Sequence, residues 1–204
     1  KNYSDHYDGP LFPKENDIIS NIDIKGKFLE KFIESLYYPN PYKFDVIPVD
    51  LIGNIYEKFL GYKVSIKGNK IEDDFKPEYQ KTKGAIYTPR YIVDDICKRV
   101  LEPLTKTSSI ENLLQIKVCD PACGSGSFLL GVFDFFEKKA IDLYVSEPKP
   151  KYKEWFYEDT ETKQILLTTY AKRAIMENCI FGVDLDPEAV EVAKMALALK
   201  ILEN

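Results

Sequence analysis

The segment best suited to chemistry in this 204-residue chain is Asp120-Pro121-Ala122-Cys123-Gly124-Ser125-Gly126-Ser127-Phe128-Leu129. Glycines let a backbone approach a ligand closely, and a helix starting just after them offers unpaired N–H groups and partial positive charge to a carboxylate or phosphate. The neighbouring residues discriminate among ligands. A Walker loop carries Lys and Ser or Thr straight after its last glycine, whereas Ser127 and Phe128 follow Gly126, so no side chain neutralises a triphosphate. A dinucleotide fingerprint needs a third small residue where Leu129 stands and an acidic partner about 20 residues later, and both are missing. Asp120 would repel a pyrophosphate but suits a ligand carrying an ammonium group, such as the methionine part of S-adenosylmethionine. A second carboxylate, Asp184, ends the apolar run that starts at Cys179; it can accept hydrogen bonds from two ribose hydroxyls, with Leu185 against an adenine face. Taken singly, these residues admit plainer readings. Gly124 and Gly126 suit any tight turn, Asp184 suits the cap of a helix beginning near Pro187, and Cys119 and Cys123 suit small packing roles. Only their combination between strands and helices selects the ligand.

Positioning these groups requires strand, glycine turn and helix in succession. Ile116 to Cys119 reads as a buried strand, and Phe128, Leu129, Val132, Phe133, Phe136, Ala140 and Leu143 make a strongly apolar helix after the glycines. Residues 179–184 read as a second buried strand, followed by a helix that Pro187 opens. Before them, Ile92, Val93, Ile96, Val100 and Leu101 share a helix face after Pro89, with Pro103 expected just past its end. Residues 151–163, charged and aromatic, read as an inserted loop, and a helix is expected over 164–177. Further upstream the spacing predicts an irregular lead-in to residue 16 and a helix over 27–38, stopped by Pro39 and Pro41. A second helix is expected from Asp50 through Leu60, with Gly61 as its end. A short hairpin over 63–71 and a polar loop over 72–83 complete the reading.

Composition bounds the partners. The net charge is -5, from 28 Lys and Arg against 33 Asp and Glu, which argues against this stretch being the main phosphate-neutralising surface. The basic groups Lys81, Lys83 and Arg90, and Lys149, Lys151 and Lys153, read as solvated surface. The four cysteines show no disulfide spacing, and the one histidine, His6, stands far from them, so no metal site is expected. No apolar run approaches the roughly 18 to 20 residues of a membrane span and no secretory signal opens the chain, which leads us to expect a cytoplasmic protein. The first residue is Lys1 rather than Met, so we expect the stretch to belong to a longer polypeptide.

These residues resemble the amino-methylating DNA methyltransferases, and more narrowly the type IIG restriction-modification enzymes. Asp120 to Leu129 looks like their motif I, Gly182-Val183-Asp184-Leu185-Asp186-Pro187 like motif II, and Gly84-Ala85-Ile86-Tyr87-Thr88-Pro89 like motif X, in the order of the group whose recognition domain comes last. Ile86 stands where the family usually has the first tyrosine of a doublet. Upstream, Leu36-Tyr37-Tyr38-Pro39, Val46-Ile47-Pro48-Val49-Asp50 and the run from Leu51 to Gly61 resemble the helical connector of type IIG enzymes.

The resemblance implies an α/β fold, part of the class I S-adenosylmethionine-dependent (Rossmann-like) architecture, with a connector over 1–83 and the first part of the methyltransferase domain over 84–204. It implies S-adenosyl-L-methionine as cofactor. Tyr87, Thr88 and Pro89 would border its methionine part, Asp120 would face the ammonium, and Pro121, Ala122, Cys123, Gly124, Ser125, Gly126 and Phe128 would form the cradle, with Asp184 and Leu185 on ribose and adenine. Family catalysis uses Asn or Asp followed by Pro-Pro and an aromatic residue to hold a flipped adenine. That tetrapeptide is absent here, and Asn40-Pro41-Tyr42 lacks the second proline and precedes motif X, so no catalytic residue is expected within the stretch. The parent would methylate adenine N6 without metal for that step, contact duplex DNA through other parts, and, if type IIG, carry a magnesium-dependent nuclease domain. A modification subunit of a type I system, an RNA or protein methyltransferase, and a non-catalytic scaffold are the alternatives.

Overall fold

The computed structural model describes residues 27–36, 51, 53, 55, 56, 62–67, 70–75, 88–106 and 109–203. The chain divides into two compact units, Lys1–Pro48 and Val49–Asn204. The first contains helix α1, Lys27–Leu36. It covers the described part of the helix expected over 27–38; residues 1–26 and Asn40-Pro41-Tyr42 lie outside the described residues.

In the second unit, Leu51, Gly53, Ile55 and Tyr56 are helical, as expected for the run after Asp50. Strands β1 (Tyr62–Lys67) and β2 (Lys70–Phe75) form an antiparallel hairpin closed by the Lys67↔Lys70 pair. The hairpin is longer than expected. Glu72 to Phe75, read as loop for their charge, pair with Ser65 back to Tyr62, because a hairpin is held by its backbone ladder whatever the charge of its side chains.

Helix α2 (Arg90–Thr105) starts at Pro89 as expected but contains Pro103 in its last turn rather than stopping before it. A proline there forfeits one bond of the final turn, and Thr105 Oγ1 donates to the Leu101 carbonyl at 3.0 Å close by. Short helix α3 (Ile110–Leu113), capped by Ser109, leads into strand β3 (Val118–Asp120). Then come helix α4 (Ser127–Ser146), a 3-10 turn at Pro150–Trp155, strands β4 (Phe156–Glu158) and β5 (Ile165–Leu167), helix α5 (Thr169–Cys179), strand β6 (Ile180–Gly182) and helix α6 (Pro187–Leu202). The expected loop over 151–163 is thus partly ordered. Tyr152 and Phe156 are buried, and Phe156 stacks on Tyr144 at 4.0 Å, so the aromatic residues fold the insert back onto α4. For the same reason α5 starts later than expected, at Thr169, with Thr168 Oγ1 accepting from the Ala171 amide as cap.

The core is built around α4. Leu129, Leu130, Val132, Phe133, Phe136 and Ala140 are all buried, so the helix is apolar nearly all round and is enclosed by its neighbours. Phe133 and Phe136 are fully inaccessible, each stabilising the fold by about 1.5–3 kcal/mol through burial. Gly131 lets α2 lie close: a Cβ there would fall 2.5 Å from Val93 Cγ1 and 3.2 Å from Cys97 Sγ. The described residues are therefore α/β, with one parallel pair, β3 with β6, and two antiparallel hairpins. No described helix is long and apolar enough to cross a membrane.

Candidate functional site

The parallel register Val118↔Ile180, Cys119↔Phe181, Asp120↔Gly182 ends both strands at the same level, so the two following loops leave the sheet side by side. They are laced together at once. The Val183 amide donates to the Asp120 carbonyl, and the Cys123 amide to the Val183 carbonyl, each at 2.9 Å. Asp184 then bridges them with its side chain: Oδ2 accepts from the Gly124 amide at 2.8 Å and Oδ1 from the Asp186 amide at 2.9 Å. Asp120 Oδ1 accepts from the Ala122 amide at 3.0 Å, which shapes the turn that turns back under the loop.

Gly124 and Gly126 adopt left-handed backbone angles, with φ of 53° and 93°. Gly126 occupies the cap position of α4 without any side-chain cap. The amides of the first helical turn, like those of any helix start, have no intrahelical partner, and no side chain caps them. At this point the chain offers hydrogen-bond donors and partial positive charge beside the Asp120 carboxylate, a pairing that fits an amino acid moiety with both its charges. The loop is closely packed against its neighbours. A Cβ on Gly126 would meet that of Ala193 at 3.1 Å, and one on Gly182 would fall 2.7 Å from Leu129 Cδ1.

Of the residues expected at the site, the structure brings together Asp120, Pro121, Ala122, Cys123, Gly124, Ser125 and Gly126 with Asp184 and Leu185. Cys123, Ser125 and Gly126 are buried, Phe128 half-buried, and Pro121 and Ala122 exposed. Leu185 is fully exposed, and it follows the exposed Val183 on the same loop. Thr88 and Pro89 stand at the start of α2, whose Arg90 pairs with Asp134, two turns into α4; no hydrogen bond joins them to the glycine loop among the described residues. Tyr87 lies outside the described residues.

Asp186 was missed by the sequence reading. It, rather than Asp184, caps α6, its Oδ1 accepting from the Glu188 amide at 2.9 Å. The signal was legible as an aspartate directly before a proline that opens a helix. With that task assigned, Asp184 is released to span the two loops. An apolar hollow of about 280 Å³ flanks the loop on the α2 side, lined by Ile96, Val100, Cys119, Asp120 and Phe128 among others. A slightly larger one, about 300 Å³, lies between α4, α5 and α6, walled by Asp134, Glu137, Lys172 and Lys200, and includes none of the loop residues.

The thiols divide by burial. Cys119 is exposed, whereas Cys97, Cys123 and Cys179 are buried. Burial pushes the Cys97 and Cys179 thiols up to about 11, and burial together with the Asp120 and Asp184 carboxylates raises that of Cys123. Near neutral pH these three stay protonated and covered. A disulfide-exchange reagent at pH 7.5 should modify Cys119 of the native protein rapidly, and Cys97, Cys123 and Cys179 only in denaturant; fast reaction at any of those three, mapped by peptide mass, would contradict this packing.

Residues 48–204 match the family model described as N-6 DNA Methylase. The chain is 34% identical over 209 residues to the type II restriction enzyme and methyltransferase RM.Eco57I of Escherichia coli, an alignment covering 97% of the chain and 19% of that protein. It is 26% identical over 230 residues to the putative type II restriction enzyme and methyltransferase RM.MjaORFECS2P of Methanocaldococcus jannaschii, covering 94% and 17%. To the type I restriction enzyme MjaIX methylase subunit of the same organism it is 27% identical, covering 76% and 18%. The chain thus spans less than a fifth of the length of these curated relatives.

Proposed function

The chain belongs to the N-6 DNA methylase family, and from that premise we propose that it is the S-adenosylmethionine-binding part of a DNA adenine-N6 methyltransferase within a type IIG restriction-modification enzyme. One observation carries the reading: the Gly124 amide donates to Asp184 at 2.8 Å, joining the glycine turn and the second aspartate, 60 residues apart, in one site. Both type II relatives align over nearly the whole chain, against 76% for the type I subunit, which favours the type II assignment.

When bound, S-adenosylmethionine supplies an electrophilic methyl group on a sulfonium. The residues of this chain bind and orient it. The free amides at the start of α4 receive its carboxylate and Asp120 its ammonium. Each Asp184 oxygen, already accepting one backbone amide, keeps lone-pair capacity for a ribose hydroxyl. The exposed Leu185 offers an apolar face to adenine. Thr88 and Pro89 join the methionine end by resemblance alone. In this proposal residues 1–83 form the connector and 84–204 the first part of a Rossmann-like methyltransferase domain, with the family match reaching back into the connector. The adenine-holding catalytic residues, duplex DNA contacts and nuclease belong to other parts of a cytoplasmic protein.

Titrating S-adenosylmethionine against thermal unfolding of the full-length protein tests the reading, because a ligand of the native state at about 100 times its Kd adds about 2.7 kcal/mol of stability. An upward shift of several degrees is the expected result. No shift at millimolar cofactor would leave a scaffold that keeps the fold without its ligand.

A further inference from the structure

Ser125 sits in a loop that should face a ligand, yet only 1% of it is accessible. What covers it comes from the helical residues around Gly53. A Cβ added at Gly53 would lie 2.8 Å from Ser125 Oγ and 3.2 Å from Ser125 Cβ, so the backbone of that helix rests directly against the glycine loop. Gly53 is itself buried. One turn on, the Tyr56 hydroxyl lies 3.4 Å from Asp186 Oδ2. Asp186 holds the start of α6 through its other oxygen and donates its amide to Asp184, which in turn holds Gly124. The same short stretch of helix thus touches both halves of the site: the glycine loop through Gly53, and the aspartate loop through Tyr56.

We propose that Gly53 and Tyr56 are positioning residues of the cofactor site, holding the Ala122-to-Gly126 loop and the Asp184–Asp186 loop in one geometry. This rests on the cofactor reading above. The physical reason is preorganisation. A loop with two left-handed glycines has many conformations available, and a ligand that must first select one binds more weakly by the fraction of time that one is populated. A glycine at position 53 allows the contact because a Cβ there would press on Ser125 Oγ and Cβ and force one of the two segments to shift. Tyr56 contributes less, since 3.4 Å is a long hydrogen bond.

Calorimetric titration of S-adenosylmethionine into the full-length protein and its variants tests the proposal. Gly53→Ala should raise Kd about tenfold while leaving the ligand-free melting midpoint within about 2 °C, and Tyr56→Phe should raise Kd about two- to fivefold. Removing the hydroxyl that the new methyl would strike should relieve the clash: Gly53→Ala should cost at least about threefold less affinity when made in a Ser125→Ala background. A Gly53→Ala protein that melts normally and binds with unchanged Kd overturns the proposal, as does an affinity loss that Ser125→Ala does not reduce. Should Gly53→Ala fail to fold, Tyr56→Phe decides alone, an unchanged Kd counting against the positioning role. Wild-type protein that binds no cofactor defeats the cofactor reading itself and this inference with it, whereas wild-type binding with indifferent variants defeats the inference only.

Discussion

Replacing Asp184 with alanine should weaken S-adenosylmethionine binding by about 1–3 kcal/mol, roughly 5- to 150-fold in Kd, through lost charge-assisted hydrogen bonds. The expectation rests on two roles of one carboxylate. Its oxygens hold the Gly124 and Asp186 amides, so deletion frees the glycine turn and the loop before α6 at the same time. It is also the acceptor available to the ribose. The two amides approach different oxygens, so asparagine can satisfy one of them and must present an N–H donor to the other. Asp184→Asn should therefore recover part of the affinity at most. Calorimetry of wild type, Asp184→Ala and Asp184→Asn reads the series, and an alanine variant with unchanged Kd removes Asp184 from the site.

Lys172→Ala should cost about 2–4 kcal/mol of stability, the largest effect expected of any polar residue away from the ligand. Lys172 is 6% exposed in α5, and its ammonium lies 3.4 Å from Glu137 Oε1 of α4 while donating to the Glu203 carbonyl just after α6. One cation thus ties three helices together. Truncating it leaves the Glu137 carboxylate in a poorly hydrated position and a helix-terminal carbonyl without its donor. The adjacent network of Lys200 with Asp134 and Glu203 cannot take over, because Lys200 is already engaged there. Urea denaturation should show a lower midpoint at an unchanged slope. Arg173→Ala serves as the control: its pair with Glu177 lies on the exposed face of α5, and its removal should leave the midpoint where it is. Equal midpoints for the two variants would deny Lys172 its role.

Much of the site was legible because its signals are local. The strand-to-helix change around Gly124 and Gly126 is written in a switch from a short apolar run to helical periodicity, and the glycines stand where the backbone turns left-handed. The Asp186-Pro187 pair announces the start of α6 in the same local way. What escaped was decided by contacts distant in sequence. Residues 151–163 read as loop since their charges outnumber their apolar residues, yet Tyr152 is buried and Phe156 stacks on Tyr144 of α4, which orders the segment. Pro103 read as a terminator, although the helix closes around it once Leu101 and Thr105 are buried.

The sequence by itself determined the chemistry on offer: donors at a helix start, a carboxylate on either side, and an apolar residue beside the second. Residue type and short-range spacing are enough for that, since turn geometry and helix ends depend on few neighbours. Only the tertiary structure decided that Asp184 grips the Gly124 amide and that Gly53 lies against Ser125. Those choices follow from strand register and from helices packing within a methyl group of each other, and neither is encoded in any single window of the chain.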